Sequence, residues 1–190
     1  MLKASRWLAI SALLTILTII GHEIAHYIGA AGAGAEHLHL HWADVTFDEA
    51  SLSNVGTAIT WLAGPIFTHG IILWVLLSRT SNIWLLALGL GASSRNLVLI
   101  PFATKSLLVR DVSTFTNDEV TAASALEISP IYFALFAAVL GIVGTFAFLK
   151  RAHREAPLAL PISLFFGTVF GIVIWGFVGP AILPGGKGIS

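Results

Sequence analysis

Residues 7–27 read WLAISALLTILTIIGHEIAHY, an apolar run that ends in a His-Glu-x-x-His motif. The run is long enough to cross a bilayer as a helix, which takes about 20 residues. On such a helix His22 and His26 lie four positions apart on one face, with Glu23 beside them. This spacing predicts a hydrolytic zinc site in which the two imidazoles are ligands and the glutamate is the general base.

The motif also has simpler interpretations, namely a polar cap at the membrane interface or two packed histidines. An acid and two histidines beside an apolar span are costly unless they have partners or a function, which favours the metal site. A signal peptide is a further alternative, because Lys3 and Arg6 precede the run and Ala31-Gly32-Ala33 follows it. Those small residues lie too far beyond the apolar run, so we expect the motif to be retained.

Composition predicts an integral, multi-pass membrane protein that lies in the lipid bilayer. The 190 residues are 56% hydrophobic and only 11% charged, with a mean hydropathy of +0.89, whereas a soluble domain carries about 25% charge. Cysteine is absent, so any metal must be held by His, Asp or Glu. The zero net charge argues against a nucleic-acid partner.

The predicted fold class is an all-α polytopic membrane protein with about five transmembrane helices and a short β-strand or hairpin after the first. We expect a single membrane domain with a metal-site core in 1–126, packing helices to 182 and a short tail, 183–190. Glycines spaced four apart in the last span indicate a packing helix. The five apolar runs are Leu2–Ala30, Val55–Leu77, Ile83–Thr104, Val120–Leu149 and Leu158–Ile182, with the glycines at 167 and 171.

The distribution of Lys and Arg predicts a cytoplasmic amino terminus. The basic residues that fall on the amino-terminal side are Lys3, Arg6, Arg79, Lys150, Arg151 and Arg154. The opposite side receives an acidic connection after the first span, the 105–117 connection and the tail. Basic residues on that opposite side weaken the assignment, and they are Lys105, Arg110 and Lys187.

A strictly alternating stretch, Glu36–Trp42, follows the first span and predicts a short β-strand. Alternation places His37, His39 and His41 on one face and the apolar side chains on the other. A polar face towards water is the favoured interpretation. A second metal site and an edge strand that pairs with an extended substrate are the alternatives.

Polar residues inside the second and third spans are candidates for lining a cleft or stabilising an oxyanion. A proline within a helix removes a backbone donor and predicts a kink, and a histidine at lipid depth usually faces a partner or a pathway. Arg95 in the third span is expected to pair with Glu127 in the fourth, either as a structural pair or as part of the site. The candidates are Gly64, Pro65, Thr68, His69 and Asn96.

The start of the fourth span supplies the third metal ligand. Thr116 and Glu119 have the spacing of a helix capping box, so these acids can also simply begin a helix. The first span ends, the second begins, the third ends and the fourth begins on the same side of the membrane. This connectivity brings the motif, Gly64-Pro65, Asn96 and Asp118 to that side. We therefore expect Asp118 to complete the zinc site, with Glu119 and Asp111 as alternatives.

These residues resemble the site-2 protease family of intramembrane zinc metalloproteases. The resemblance is carried by His22-Glu23-x-x-His26, by Ala63-Gly64-Pro65 and by Asn96-Leu97 followed by Pro101-Phe102 and an acid. It implies that the first motif supplies two zinc ligands and the base, that the Gly-Pro segment lines the cleft, and that a later aspartate is the third ligand. Thr68 stands where the family has Asn, and the family's Leu-Asp-Gly motif is missing.

The leading hypothesis is a zinc endopeptidase that cleaves a peptide bond in or near a transmembrane segment of another membrane protein. A second hypothesis is a non-catalytic metal-binding scaffold or partner subunit of the same fold. The intact Glu23 favours the first hypothesis, because a structural site has little use for an acid beside its ligands. A transporter ranks last, since the chain has no visible internal repeat.

Overall fold

The computed structural model describes residues 2–97, 99–101, 104 and 117–183, most of which are helical. The elements in chain order are α1 (Leu2–Ala33), β1 (Glu36–Leu40), β2 (Val45–Asp48), a 3-10 turn (Glu49–Ser51), α2 (Asn54–Ser78), α3 (Ile83–Leu97), α4 (Asp118–Ala125), α5 (Pro130–Glu155) and α6 (Ala159–Ile182). Within these residues five helices are long and apolar enough to cross a membrane, and α3 reaches that length with its continuation to Pro101. The predicted number of apolar spans is confirmed.

Helix α1 lies at the centre of the bundle, where it packs against α2, α3 and α6. A side chain at Gly167 would collide with the carbonyl oxygen of Leu8, and a Cβ at Gly171 would lie 2.5 Å from that of Ala12. Ser11 Oγ also donates a hydrogen bond of 2.7 Å to the carbonyl of Leu164. The predicted packing role of the last helix is therefore confirmed, because its two glycines let the backbones of α1 and α6 touch.

Small residues also let α3 enter the bundle. A Cβ at Gly91 would lie 3.0 Å from Thr15 of α1, and one at Gly89 would lie 2.7 Å from the ring of Phe148 in α5. The ring of Phe148 is buried in the main apolar cluster. The other large members of this cluster are Ile10, Ile72, Val75, Leu86, Leu90, Leu140, Leu160 and Leu164.

Both ends of α2 are fixed by side-chain hydrogen bonds. Ser53 Oγ accepts a bond of 3.2 Å from the backbone N–H of Gly56 at the amino end. At the carboxyl end, Arg151 of α5 donates bonds of 2.9 Å to the carbonyl oxygens of Val75 and Leu76. These contacts satisfy backbone groups that a helix end leaves without partners.

The fourth apolar run is broken, so its prediction as one helix kinked at Pro130 is wrong. Helix α4 ends at Ala125, Glu127 adopts a left-handed conformation with φ of 57°, and α5 begins at Pro130. A proline is favoured at the first position of a helix, where its missing N–H costs nothing. The N-cap of α4 is Asn117, whose Oδ1 accepts a bond of 2.9 Å from Val120 N, while Thr116 of the predicted capping box lies outside the described residues.

The predicted strand is the first half of an antiparallel hairpin and ends at Leu40 instead of Trp42. Its register pairs Glu36 with Asp48 and His39 with Thr46, which leaves an irregularity between the two pairs. His37 lies in that irregularity with φ of 55°. The alternation expected for three histidines is interrupted there, because a bulge changes the face on which later side chains point.

Candidate metal centre

The His-Glu-x-x-His motif lies in the last part of α1, and both of its histidines are buried. Their rings meet edge to face at a centroid distance of 4.6 Å, and their two Nε2 atoms lie 3.0 Å apart. This contact follows from helix geometry, since residues four apart occupy neighbouring positions on one face. The predicted convergence of His22 and His26 is confirmed.

Helix α4 brings Asp118 to the same point. Its Oδ2 atom lies 3.0 Å from Nε2 of His22 and 3.2 Å from Nε2 of His26. In the part of the chain that the structure describes, these three residues form the group whose ligand atoms could share one metal ion. Tetrahedral zinc with bonds of about 2.0–2.1 Å has ligand atoms about 3.3 Å apart, so the triangle fits a zinc-sized ion.

The tautomer of His26 is set by the helix beside it. Its Nδ1 donates a hydrogen bond of 2.7 Å to the carbonyl oxygen of Thr60 in α2, which leaves the lone pair on Nε2. That lone pair faces the carboxylate of Asp118, which is an acceptor only. Nδ1 of His22 has no hydrogen-bond partner among the described residues. Electron-rich atoms converge on one point, as they do where a cation is held.

Gly64 lets α2 approach both imidazoles. A Cβ at this position would lie 2.5 Å from Nε2 of His22 and closer still to Nε2 of His26. The helix continues through Pro65, and Thr68 Oγ1 donates to the carbonyl oxygen of Pro65 at 3.0 Å. The Gly-Pro segment therefore lies against the ligands, and the Thr68 hydroxyl proton is used within its own helix.

Arg95 belongs to the site, as one of the two sequence-based alternatives expected, but with different partners. Its Nη2 donates to Oδ2 of Asp118, and its Nη1 lies 3.9 Å from Oε1 of Glu23. The predicted pair with Glu127 is wrong, because the break after α4 places that residue in a turn and leaves Asp118 as the nearest carboxylate partner. One guanidinium thus spans the proposed base and the third ligand, an arrangement that its planar fork permits.

The surroundings of Asp118 keep it ionised. Burial acts to raise its pKa, but the close contacts with His22 and His26 and the charge of Arg95 outweigh burial and hold the pKa well below the usual range. An ionised carboxylate is the form that binds metal.

The two alternative third ligands do not join this group. Glu119 is buried, and burial together with the charge of Asp118 raises its pKa, but its carboxylate is not among the three converging ligands. Asp111 lies outside the described residues. The aspartate at the first position of α4 is therefore the third ligand that the geometry supports.

Two other candidates lie together where α2, α3 and α5 meet. His69 lies beside Asn96, and its ring meets Phe136 edge to face at 5.4 Å, while its Nε2 has no hydrogen-bond partner among the residues described. Asn96 is buried, and its Nδ2 has no partner among the residues described. Neither side chain belongs to the group of converging ligands, so their assignment to the cleft stays a prediction.

The histidines of the hairpin are arranged differently. The rings of His39 and His41 stack at 6.4 Å, and Nε2 of His41 lies 2.9 Å from Oγ1 of Thr46. They form no three-ligand group with His37 in the described structure. His37 and His39 are exposed but His41 is buried, so the expected polar face towards water is found for the first two histidines only.

The chain was compared with protein-family models, with curated proteins and with solved structures. None of these comparisons gives a match. The resemblance to the site-2 protease family therefore stays a prediction carried by the motifs in the sequence.

Proposed function

We propose that this chain is a multi-pass membrane zinc metalloendopeptidase that hydrolyses a peptide bond in or near a transmembrane segment of another membrane protein. The observation that carries the proposal is the triangle formed by Nε2 of His22, Nε2 of His26 and Oδ2 of Asp118, with sides of 3.0–3.2 Å. Glu23 is adjacent to this triangle in sequence and is not one of its three ligands. Two histidines, a third ligand and a free acid are the components of a hydrolytic zinc site.

Location in a membrane is supported by the outward faces of the long helices. Large apolar side chains cover these faces, and Leu77 and Phe177 are 80% and 81% exposed. A soluble monomer rarely exposes apolar surface on this scale. If the five helices of membrane-spanning length cross a bilayer, these side chains face lipid. The cytoplasmic amino terminus stays a prediction from the basic residues.

Glu23 is the proposed general base. Glu23 is 4% exposed and lies at the same end of α1 as the two histidines. A zinc ion held by the three ligands would supply a water of lowered pKa and polarise the scissile carbonyl. Glu23 accepts the proton of the attacking water and passes it to the amide nitrogen, which leaves as an amine when the C–N bond breaks.

Arg95 and His26 are held by contacts that orient the site. The guanidinium of Arg95 donates to Oδ2 of Asp118 and so fixes this carboxylate. The Thr60 carbonyl fixes the ring of His26 through Nδ1. Such partners of metal ligands set their orientation and basicity.

The test is metal analysis and peptide cleavage with purified protein in detergent, beside Glu23→Gln and His26→Ala. We expect one zinc per chain in the wild type, zinc retained but cleavage reduced at least about 100-fold in Glu23→Gln, and zinc lost in His26→Ala. A wild-type protein that binds no zinc would overturn the proposal. Stoichiometric zinc without cleavage of any membrane peptide would support the non-catalytic scaffold instead.

A further inference from the structure

A cavity of about 320 Å³ lies between α1, α3, α6 and the turn that joins β1 to β2. Glu23 and Arg95 form part of its wall, and the rest is mainly apolar, with Ile19, Ile172 and Trp175 among the lining residues. The volume is at the lower end of the range for small-ligand pockets, about 300–1,000 Å³. The cavity therefore adjoins the proposed base and has room for a side chain.

Two contacts fix the wall of this cavity. Nε1 of Trp175 in α6 donates a hydrogen bond of 2.8 Å to the carbonyl oxygen of Trp42 in the hairpin turn. A Cβ at Gly179 would lie 3.1 Å from Cβ of Trp42, so the turn is seated closely on α6. Trp175 is itself buried, so this part of the cavity wall is packed into the bundle.

We propose that this cavity is the specificity pocket of the enzyme and that it holds a large apolar side chain of the substrate next to the cleaved bond. The inference rests on the proposed function, because Glu23 marks where the scissile bond is handled. A leucine or phenylalanine side chain from a membrane segment matches the apolar wall.

Gly176 offers a direct way to fill the cavity. It lies in α6 on the cavity wall, and a Cβ built there meets nothing within 4 Å. Leucine at this position would project into open space and favours a helix more than glycine does. Gly70 of α2 has the same open surroundings and does not line this cavity, so Gly70→Leu is the matched control.

Ile172 offers the opposite change. Its side chain is 43% exposed, so Ile172→Ala enlarges the cavity without opening a hole in the bundle core. Gly176→Leu should shift the preference towards smaller substrate side chains and Ile172→Ala towards larger ones. A general loss of folding would not produce opposite shifts.

The experiment uses the full chain in detergent with model transmembrane peptides of about 20 residues that differ at a single site, as Ala, Leu or Phe. Binding is measured with the Glu23→Gln background, which keeps the peptide intact, and cleavage with the Glu23 form. In Gly176→Leu we expect the preference for Leu over Ala, as a ratio of Kd and of kcat/KM, to fall about tenfold or more. In Ile172→Ala the preference should shift towards Phe, and Gly70→Leu should match the unmodified chain.

An unchanged preference in both cavity variants would overturn the pocket assignment. Failure of the proposed function gives a different result, since the unmodified chain would then cleave none of the peptides. A changed Kd ratio without cleavage would support the pocket as a binding site and would count against proteolysis. Zinc content measured on every variant shows whether the metal centre has stayed intact.

Discussion

The guanidinium of Arg95 donates to the same Oδ2 atom of Asp118 that faces both imidazoles. Arg95 comes from α3 and Asp118 from α4, so this bond joins two helices that follow one another in the described part of the chain. A charged donor on a ligand oxygen orients the carboxylate and stabilises its ionised form. Arg95 is therefore a positioning residue for the third ligand, and its second arm reaches towards Glu23.

Replacing Arg95 should weaken metal binding without removing a ligand. In Arg95→Gln we expect the zinc affinity to fall about 10–100-fold, the range typical for partners of metal ligands. Arg95→Lys should recover part of the loss, because an ammonium keeps the charge but cannot span two carboxylates. Competition with a zinc chelator gives the affinity, and the exposed Arg79→Gln is the control. Equal affinities in Arg95→Gln and the wild type would contradict the role.

Gly64→Ala should damage the metal centre from the neighbouring helix. The added methyl group would meet Nε2 of both His22 and His26, the two atoms that bind the ion. We expect zinc content to fall at least about tenfold, since the imidazoles must turn away from Asp118. Gly70→Ala, in the same helix with open space around it, should bind zinc like the wild type. Full zinc occupancy in Gly64→Ala would show that α2 does not form one wall of the site.

The motif on α1 could be predicted because its spacing is set by one helix. Asp118 could be predicted from hairpin connectivity, which places the start of α4 at the same end of the bundle as His22. Gly64 was expected in the cleft, but its contact with the imidazoles depends on the rotation of α2 about its axis, which local periodicity leaves open.

The Arg95 partner was missed for another reason. The prediction assumed one continuous helix after Asp118, with Glu127 facing Arg95. In the structure, Glu127 is left-handed and a new helix begins at Pro130, so the run is divided into two helices. Neither the break nor the new partner follows from hydropathy, because both halves of the run are apolar. Two further signals, a proline that can begin a helix and an arginine with a carboxylate at the same depth, could have identified the arrangement.

The identity of the third ligand is tested by comparing adjacent acids. Asp118→Ala should lose zinc about 100-fold or more, because it removes one of three ligands. Glu119 is buried but does not belong to the three converging ligands. The Glu119→Gln variant keeps the size of this side chain, so the protein should bind zinc normally. Zinc is measured after gel filtration, with folding checked by circular dichroism. The opposite pattern, loss in Glu119→Gln and retention in Asp118→Ala, would move the ligand by one residue.

Trp175→Phe should loosen the hairpin from α6. The substitution removes the Nε1–H donor to the carbonyl of Trp42 and leaves that oxygen to find another partner. We expect the folded state to lose about 1 kcal/mol or more, from the hydrogen bond and from the smaller ring. Trp74→Phe is the matched control, because Trp74 is 54% exposed. Thermal unfolding in detergent measures the change, and hydrogen exchange in residues 36–48 should become faster in Trp175→Phe alone. Equal exchange in both variants would mean that the strands hold the turn in place without α6.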